Sequence, residues 1–154
     1  RSSLSKIENS QMSPTYDLIQ RLAQGLQVDI AEFFAPRHAK GSTGRFAVTR
    51  RQQGKHHETP IYDHEVLAAT LTAKKMLPFK SRIKAHGKLE ASDWASHAGE
   101  EFLYVLKGSV TFYTEHYEPV TLAEGDNIYI DSTMQHACLS AGDMDAEVLW
   151  ISSE

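Results

Sequence analysis

A chain of 154 residues with 41% apolar and 23% charged residues has the length and composition of one modest folded domain, or of a domain plus a fragment of another. No run approaches the roughly 20 apolar residues of a membrane helix, and no basic-then-apolar stretch opens the chain, so neither a membrane partner nor a secretion signal is expected. The net charge of −4 is uneven: from residue 58 onward sixteen acids face seven bases, a poor surface for nucleic acid, whereas residues 37–57 carry six bases and no acid and are better placed to touch it.

The first 34 residues read as helices. Leu4 and Ile7 begin an apolar stripe that the run from Asn9 to Met12 interrupts. Ser13-Pro14 supplies a cap followed by proline at the first helical position, where the missing N–H costs nothing. Leu18, Ile19, Leu22, Ala23 and Leu26 follow at helical spacing, with Gly25 near the end. A third helix starts around Val28, capped by Asp29 and stapled by Val28 against Phe33. Residues 36–44 hold a proline and two glycines and read as linker.

From Arg45 the texture changes to short strands, expected at 46–49, 66–72, 79–85, 101–106, 109–114, 120–122, 127–130, 136–139 and 146–151. Many short strands without helical period argue a sandwich or barrel. Phe102 to Leu106 is apolar on both parities, as in a strand covered on both faces, and Gly108 allows a tight turn. Cys138, the single cysteine, excludes an internal disulfide framework, fits a reducing compartment such as the cytoplasm, and reads as packing in its apolar strand.

Two segments place polar chemistry where apolar strands begin. His97 and Glu101 flank a short loop, and Glu101 leads directly into the apolar run, where an unpaired acid is expensive to bury. Gly125 opens a second segment that ends in His136. These segments resemble the two signature motifs of the cupin superfamily: His97, Glu101 and Gly108 match the first in register, and Gly125 and His136 the second, across residues 65–151. The resemblance implies a mainly β fold, a double-stranded β-helix or jelly-roll barrel. The family's first histidine is Ala95 here, its usual second-motif proline is Met134, and the asparagine that often follows its last histidine is Ser140. What remains is two histidines and one glutamate, a set able to bind a divalent metal (Zn, Fe, Ni or Mn) or to hydrogen-bond an organic effector. Trp94, Tyr104, Tyr113 and Met134 are the expected pocket residues, Trp94 because it stands in a polar loop beside His97. The other histidines, His38, His56, His57, His64, His86 and His116, read as solvated surface groups.

The segment from Ser3 to Thr15, continued by Ala23 to Asp29, resembles the end of the recognition helix and the following helices of lambda-repressor/Cro-like helix-turn-helix domains, from Arg1 to about Phe34. Ser10 replaces a common glycine, so Asn9 is expected to take the left-handed turn. The resemblance implies that earlier helices of the domain precede Arg1, and that Arg1, Ser2, Ser3 and Lys6 face base edges while Asn9 and Gln11 lie near phosphates. It divides the chain into the last part of a helix-turn-helix domain (1–35), a basic linker with a leading strand (36–57) and a cupin sensor (58–154). Together the two resemblances imply a bacterial, homodimeric, DNA-binding transcription regulator with a small-molecule effector. The alternative they imply is a mononuclear-metal cupin enzyme resembling hydroxypropylphosphonate epoxidase.

Overall fold

In a computed structural model of the chain, residues 3–9, 13–28, 30–34, 46–84 and 88–153 are described. Helix α1 (Ser3–Glu8) is short, and α2 (Tyr16–Leu26) follows. The cap of α2 is Thr15 and not Ser13: its hydroxyl accepts the Leu18 N–H at 3.3 Å, satisfying one of the orphan donors of the first turn. Pro14 is left outside the helix with a carbonyl to offer. The helix stops at Gln27, in the left-handed conformation (φ 55°), whose N–H bonds back to the carbonyls of Ala23 and Gln24; Gly25 is not the stop signal. Asn9 does not take the left-handed turn. Its side-chain amide instead folds back onto the Ser5 carbonyl at 2.6 Å. The expected third helix is a single 3₁₀ turn, Ile30–Phe33. Ile19 and Ala23 bury the apolar stripe of α2 in one core with Ile30, Phe34 and the barrel residues.

Among the described residues nine strands follow, with a 3₁₀ turn at Ala91–Asp93: β1 (Lys55–Glu58), β2 (Tyr62–Val66), β3 (Met76–Ile83), β4 (Glu100–Lys107), β5 (Ser109–Thr114), β6 (Val120–Ala123), β7 (Asn127–Asp131), β8 (His136–Ser140) and β9 (Ala146–Ser153). They form a six-stranded sheet in the order β1-β2-β3-β9-β4-β7 and a three-stranded sheet in the order β6-β5-β8, all antiparallel. This is the expected mainly β cupin architecture behind a few helices. In β3 the alternation is complete: Leu77, Phe79, Ser81 and Ile83 point inward while Met76, Lys80 and Arg82 point out. Leu103, Val105, Val110, Phe112, Val148 and Trp150 fill the space between the sheets. Gly108, at φ 77°, makes the tight turn from β4 to β5, and a Cβ there would come within 3.4 Å of the Ala146 backbone.

Near the start of the barrel two strand expectations fail and one strand stands where none was expected. Residues 46–49 are irregular, β1 (Lys55–Glu58) straddles the end of the expected linker segment, and of the strand expected at 66–72 only Val66 is in a strand. Beyond Val66 the chain turns, with Ala68 and Ala73 both in the left-handed region (φ 50° and 51°), so an apolar run becomes a loop.

Candidate metal and effector site

His97, Glu101 and His136 converge at one end of the barrel, from the lead-in to β4, from β4 itself and from the first residue of β8. Each offers a ligand atom, and these atoms all lie within 4.8 Å of one another. The three side chains are only 3–5% exposed. Glu101 Oε1 lies 2.9 Å from His97 Nε2, and Oε2 lies 3.4 Å from His136 Nε2 without a hydrogen bond. Burial pushes the Glu101 pKa up, but the two imidazoles facing the carboxylate reverse this and hold it at about 2, so the group is an anion.

The opposite edge of each ring fixes its tautomer. His97 Nδ1 donates to the Ala98 carbonyl at 3.1 Å, and His136 Nδ1 donates to the Met134 carbonyl at 2.9 Å. A carbonyl only accepts, so Nδ1 carries the proton in both rings. In a neutral imidazole Nε2 would then present a lone pair, but His97 Nε2 lies 2.9 Å from a carboxylate oxygen that only accepts. That contact requires a proton or a cation between the two atoms. A backbone carbonyl holding the far nitrogen is also the usual outer support of a metal-bound histidine. The donor set therefore fits a divalent metal: two imidazoles and one carboxylate, with further positions open. Ala95, where the family's other histidine would stand, forms a two-bond bridge with His136 and supplies only a methyl group.

Phe112 stacks on the His136 ring (centroids 6.1 Å, 9°), and the edge of Tyr16 meets the His97 ring at 5.7 Å. Tyr16 also packs on Phe79 at 5.2 Å, so the first residue of α2 roofs this end of the barrel. Phe112 also lines an open groove of ≈ 430 Å³, with Ile128, Ile130 and Met134 among its other walls. Of the expected pocket residues, Met134 lines this groove and gives its carbonyl to His136. Tyr104 and Tyr113 stand on the outward parity of β4 and β5, because Leu103, Val105 and Phe112 take the inward positions. Trp94 is half-buried just before the Ala95–His136 bridge. Lys6 and Asn9 are exposed and Ser3 begins α1, whereas Arg1, Ser2 and Gln11 fall outside the described residues.

Two histidines expected on the surface are not there. His64 is 8% exposed on the inward face of β2, bonded through Nδ1 to Ser81 Oγ at 2.7 Å, and burial together with neighbouring His57 lowers its pKa to about 4. His57 is half-buried and donates from Nε2 to the Pro14 carbonyl at 2.5 Å; burial lowers its pKa too. His64 alternates with Tyr62 and Val66, a period-2 signal obscured by Asp63 and Glu65. His56 and His116 are exposed, and His38 and His86 lie outside the described residues. Tyr16 carried no local signal, because its partners come from distant strands. Cys138 is buried packing, as expected, and burial raises its thiol pKa far above the usual range.

The cupin domain family model matches residues 85–152, and a helix-turn-helix family model matches residues 1–33. No curated protein sequence matches the chain. Among solved structures, an HTH_3-family transcriptional regulator from Vibrio cholerae superposes with a TM-score of 0.62 at 19% identity, over 98% of this chain and 78% of that one. The hydroxypropylphosphonic acid epoxidase from S. wedmorenis, in complex with fosfomycin, gives 0.58 at 20% identity, over 90% and 75%. Ectoine synthase from P. lautus gives 0.53 at 13% identity, over 62% and 66%. At these identities the likeness is one of fold.

Proposed function

The chain is a cupin protein with a helix-turn-helix segment of the lambda-repressor/Cro type, and from that premise we propose that it is a cytoplasmic, DNA-binding transcription regulator whose barrel senses a small molecule. The observation that carries this reading is the seat of α2: the helix following the recognition segment rests its first side chain on His97. A ligand at the triad that prefers one position of Tyr16 thereby acts on the DNA-binding part, which is all that coupling requires. Residues 58–154 act as sensor. The complete helix-turn-helix, as a homodimer, reads a two-fold operator through residues such as Ser3 and Lys6.

His97, Glu101 and His136 would hold the metal through two Nε2 atoms and the carboxylate. Such an ion would supply a positive centre for an oxygen-bearing effector. Two measurements test the reading. Full-length protein should protect DNA upstream of its own or a neighbouring gene, and no protection anywhere would sink the regulator. Elemental analysis should find a stoichiometric divalent metal that a His97→Ala, Glu101→Ala double variant lacks; equal traces in both would leave the triad as a metal-free polar pocket.

One observation favours a second reading, an oxygen-using enzyme: two histidines and one carboxylate with open positions is also the donor set of non-haem iron oxygenases. Oxygen consumption by the iron-loaded protein would support it, and failure to take up iron would end it.

A further inference from the structure

We propose that the open groove between the edge strand β7 and strands β5 and β6 is a binding site for a small organic cation, a protonated or quaternary amine carried on an apolar body. No triad residue lines the groove, so the site is separate from the metal ligands and does not depend on them. At ≈ 430 Å³ it lies within the size range of small-molecule sites.

The groove lies at an opening between the two sheets, where β7 ends the large sheet and β6 ends the small one. Its floor is apolar: Phe112 and Ile130 are buried, and Ile128 and Met134 are half-buried. Its rim is aromatic and acidic. Tyr117 and Tyr129 are 70% and 61% exposed, large rings that the fold itself leaves mostly uncovered. The Tyr129 hydroxyl bonds to the Glu100 carboxylate, which anchors the ring at its far end. Glu118 and Asp131 supply two exposed carboxylates, and among the described residues neither is paired with a lysine or arginine. Thr133 donates to Asp131 Oδ1 from its backbone N–H (2.9 Å) and its hydroxyl (2.6 Å), so that carboxylate is held in place.

The charge of the surrounding chain chooses the occupant. Residues 100–135 carry seven acids and one base, Lys107, so the field over the groove favours a positive guest. A cation gains from the two carboxylates and from the tyrosine rings, whose π-faces attract positive charge. Its apolar body covers the floor. An anion would be repelled, and a neutral molecule would leave both carboxylates without a counter-charge. A bare metal ion has nothing to lay on Ile128 and Met134. A second copy of the chain is disfavoured too, because a two-fold contact centred here would set Glu118 and Asp131 against the same acids of the other copy.

The test is a titration of the isotope-labelled whole chain, read by backbone amide NMR shifts at constant ionic strength. The probes are benzyltrimethylammonium, benzyl alcohol as its neutral counterpart and benzoate as its anionic one. Saturable shifts at Tyr117, Glu118, Tyr129 and Asp131 are expected with the cation alone. Glu118→Gln combined with Asp131→Asn, two exposed and nearly isosteric changes, should weaken binding about tenfold, and Tyr117→Ala about threefold. Amide shifts away from the groove should be unchanged in these variants, which shows that the fold is intact. No saturation by the cation, equal saturation by benzyl alcohol or benzoate, shifts that map elsewhere, or a double variant that binds as tightly would overturn the site. Sedimentation of the unliganded chain covers the remaining occupant: a dimer whose formation shifts the same four amides would give the groove to a second copy and overturn the proposal.

Discussion

His97 and His136 meet nearly at right angles across a carboxylate, their rings 5.4 Å apart at 83°, whereas His57 and His64 lie parallel, 6.4 Å apart at 2°, with a carbonyl and a serine hydroxyl for partners. The first pair and His64 are buried, and His57 is half-buried. The first closes on a buried anion, and its shorter contact, His97 Nε2 to Glu101 Oε1, needs a proton or a cation between the atoms. The second has no acid within it, so burial decides, both imidazoles are pushed toward the neutral form, and one nitrogen of each is bonded by the fold itself. One added carboxylate separates a ligand set from a polar piece of core.

The most severe way to break this contrast is Glu101→Gln, which gives the first pair the uncharged surroundings of the second. Metal retention should fall by about 100-fold or more, measured by elemental analysis after dialysis against a weak chelator, since removing outer supports alone costs 10–100-fold. The second pair is tested by acid. The unfolded chain takes up a proton at His64 near pH 6.5 and the folded chain only near 4. Stability should therefore fall as pH drops through that window, by up to about 1.4 kcal/mol per unit, and His64→Phe should flatten the slope in denaturant melts. Ser81→Ala, which leaves His64 Nδ1 without its partner, should cost about 1–2 kcal/mol at pH 7. The smallest effect is expected at Trp150, which lies between the pairs, edge-on to Tyr62 and tilted against Phe112, with an indole N–H that bonds to nothing. Trp150→Phe removes that orphan with some area and should change stability by about 1 kcal/mol or less, against ~3–5 for Trp150→Ala.

The triad was legible in the sequence because its spacing is local: His97 and Glu101 share a loop and strand, and a glycine-led turn announces His136. From β4 onward the strands were legible for a similar reason, apolar alternation bounded by turn residues. The region before β3 was not. Residues 67–71 carry strand-like apolar character, yet Ala68 turns the chain there, a conformation alanine does not advertise. In β2 the inward residues include a histidine, so the alternation of Tyr62, His64 and Val66 looked like a charged surface. Tyr16 over His97 and Ser152 beside Glu101 depend on how separate elements pack, which no short window of sequence encodes.

Strand β9 is the last in chain order, yet it lies in the middle of the large sheet, paired with β3 on one side and β4 on the other. During synthesis the ribosome therefore delivers two half-sheets with raw edges before it delivers the strand that joins them. The helices around Tyr16 will have been waiting on the order of ten seconds by then. Until residues 146–153 emerge, Glu101 has no Ser152 beside it and the mouth of the barrel is unfinished. A nascent chain stalled before β9 should thus be open to proteases along β3 and β4, and the triad end should be the last part of the molecule to close.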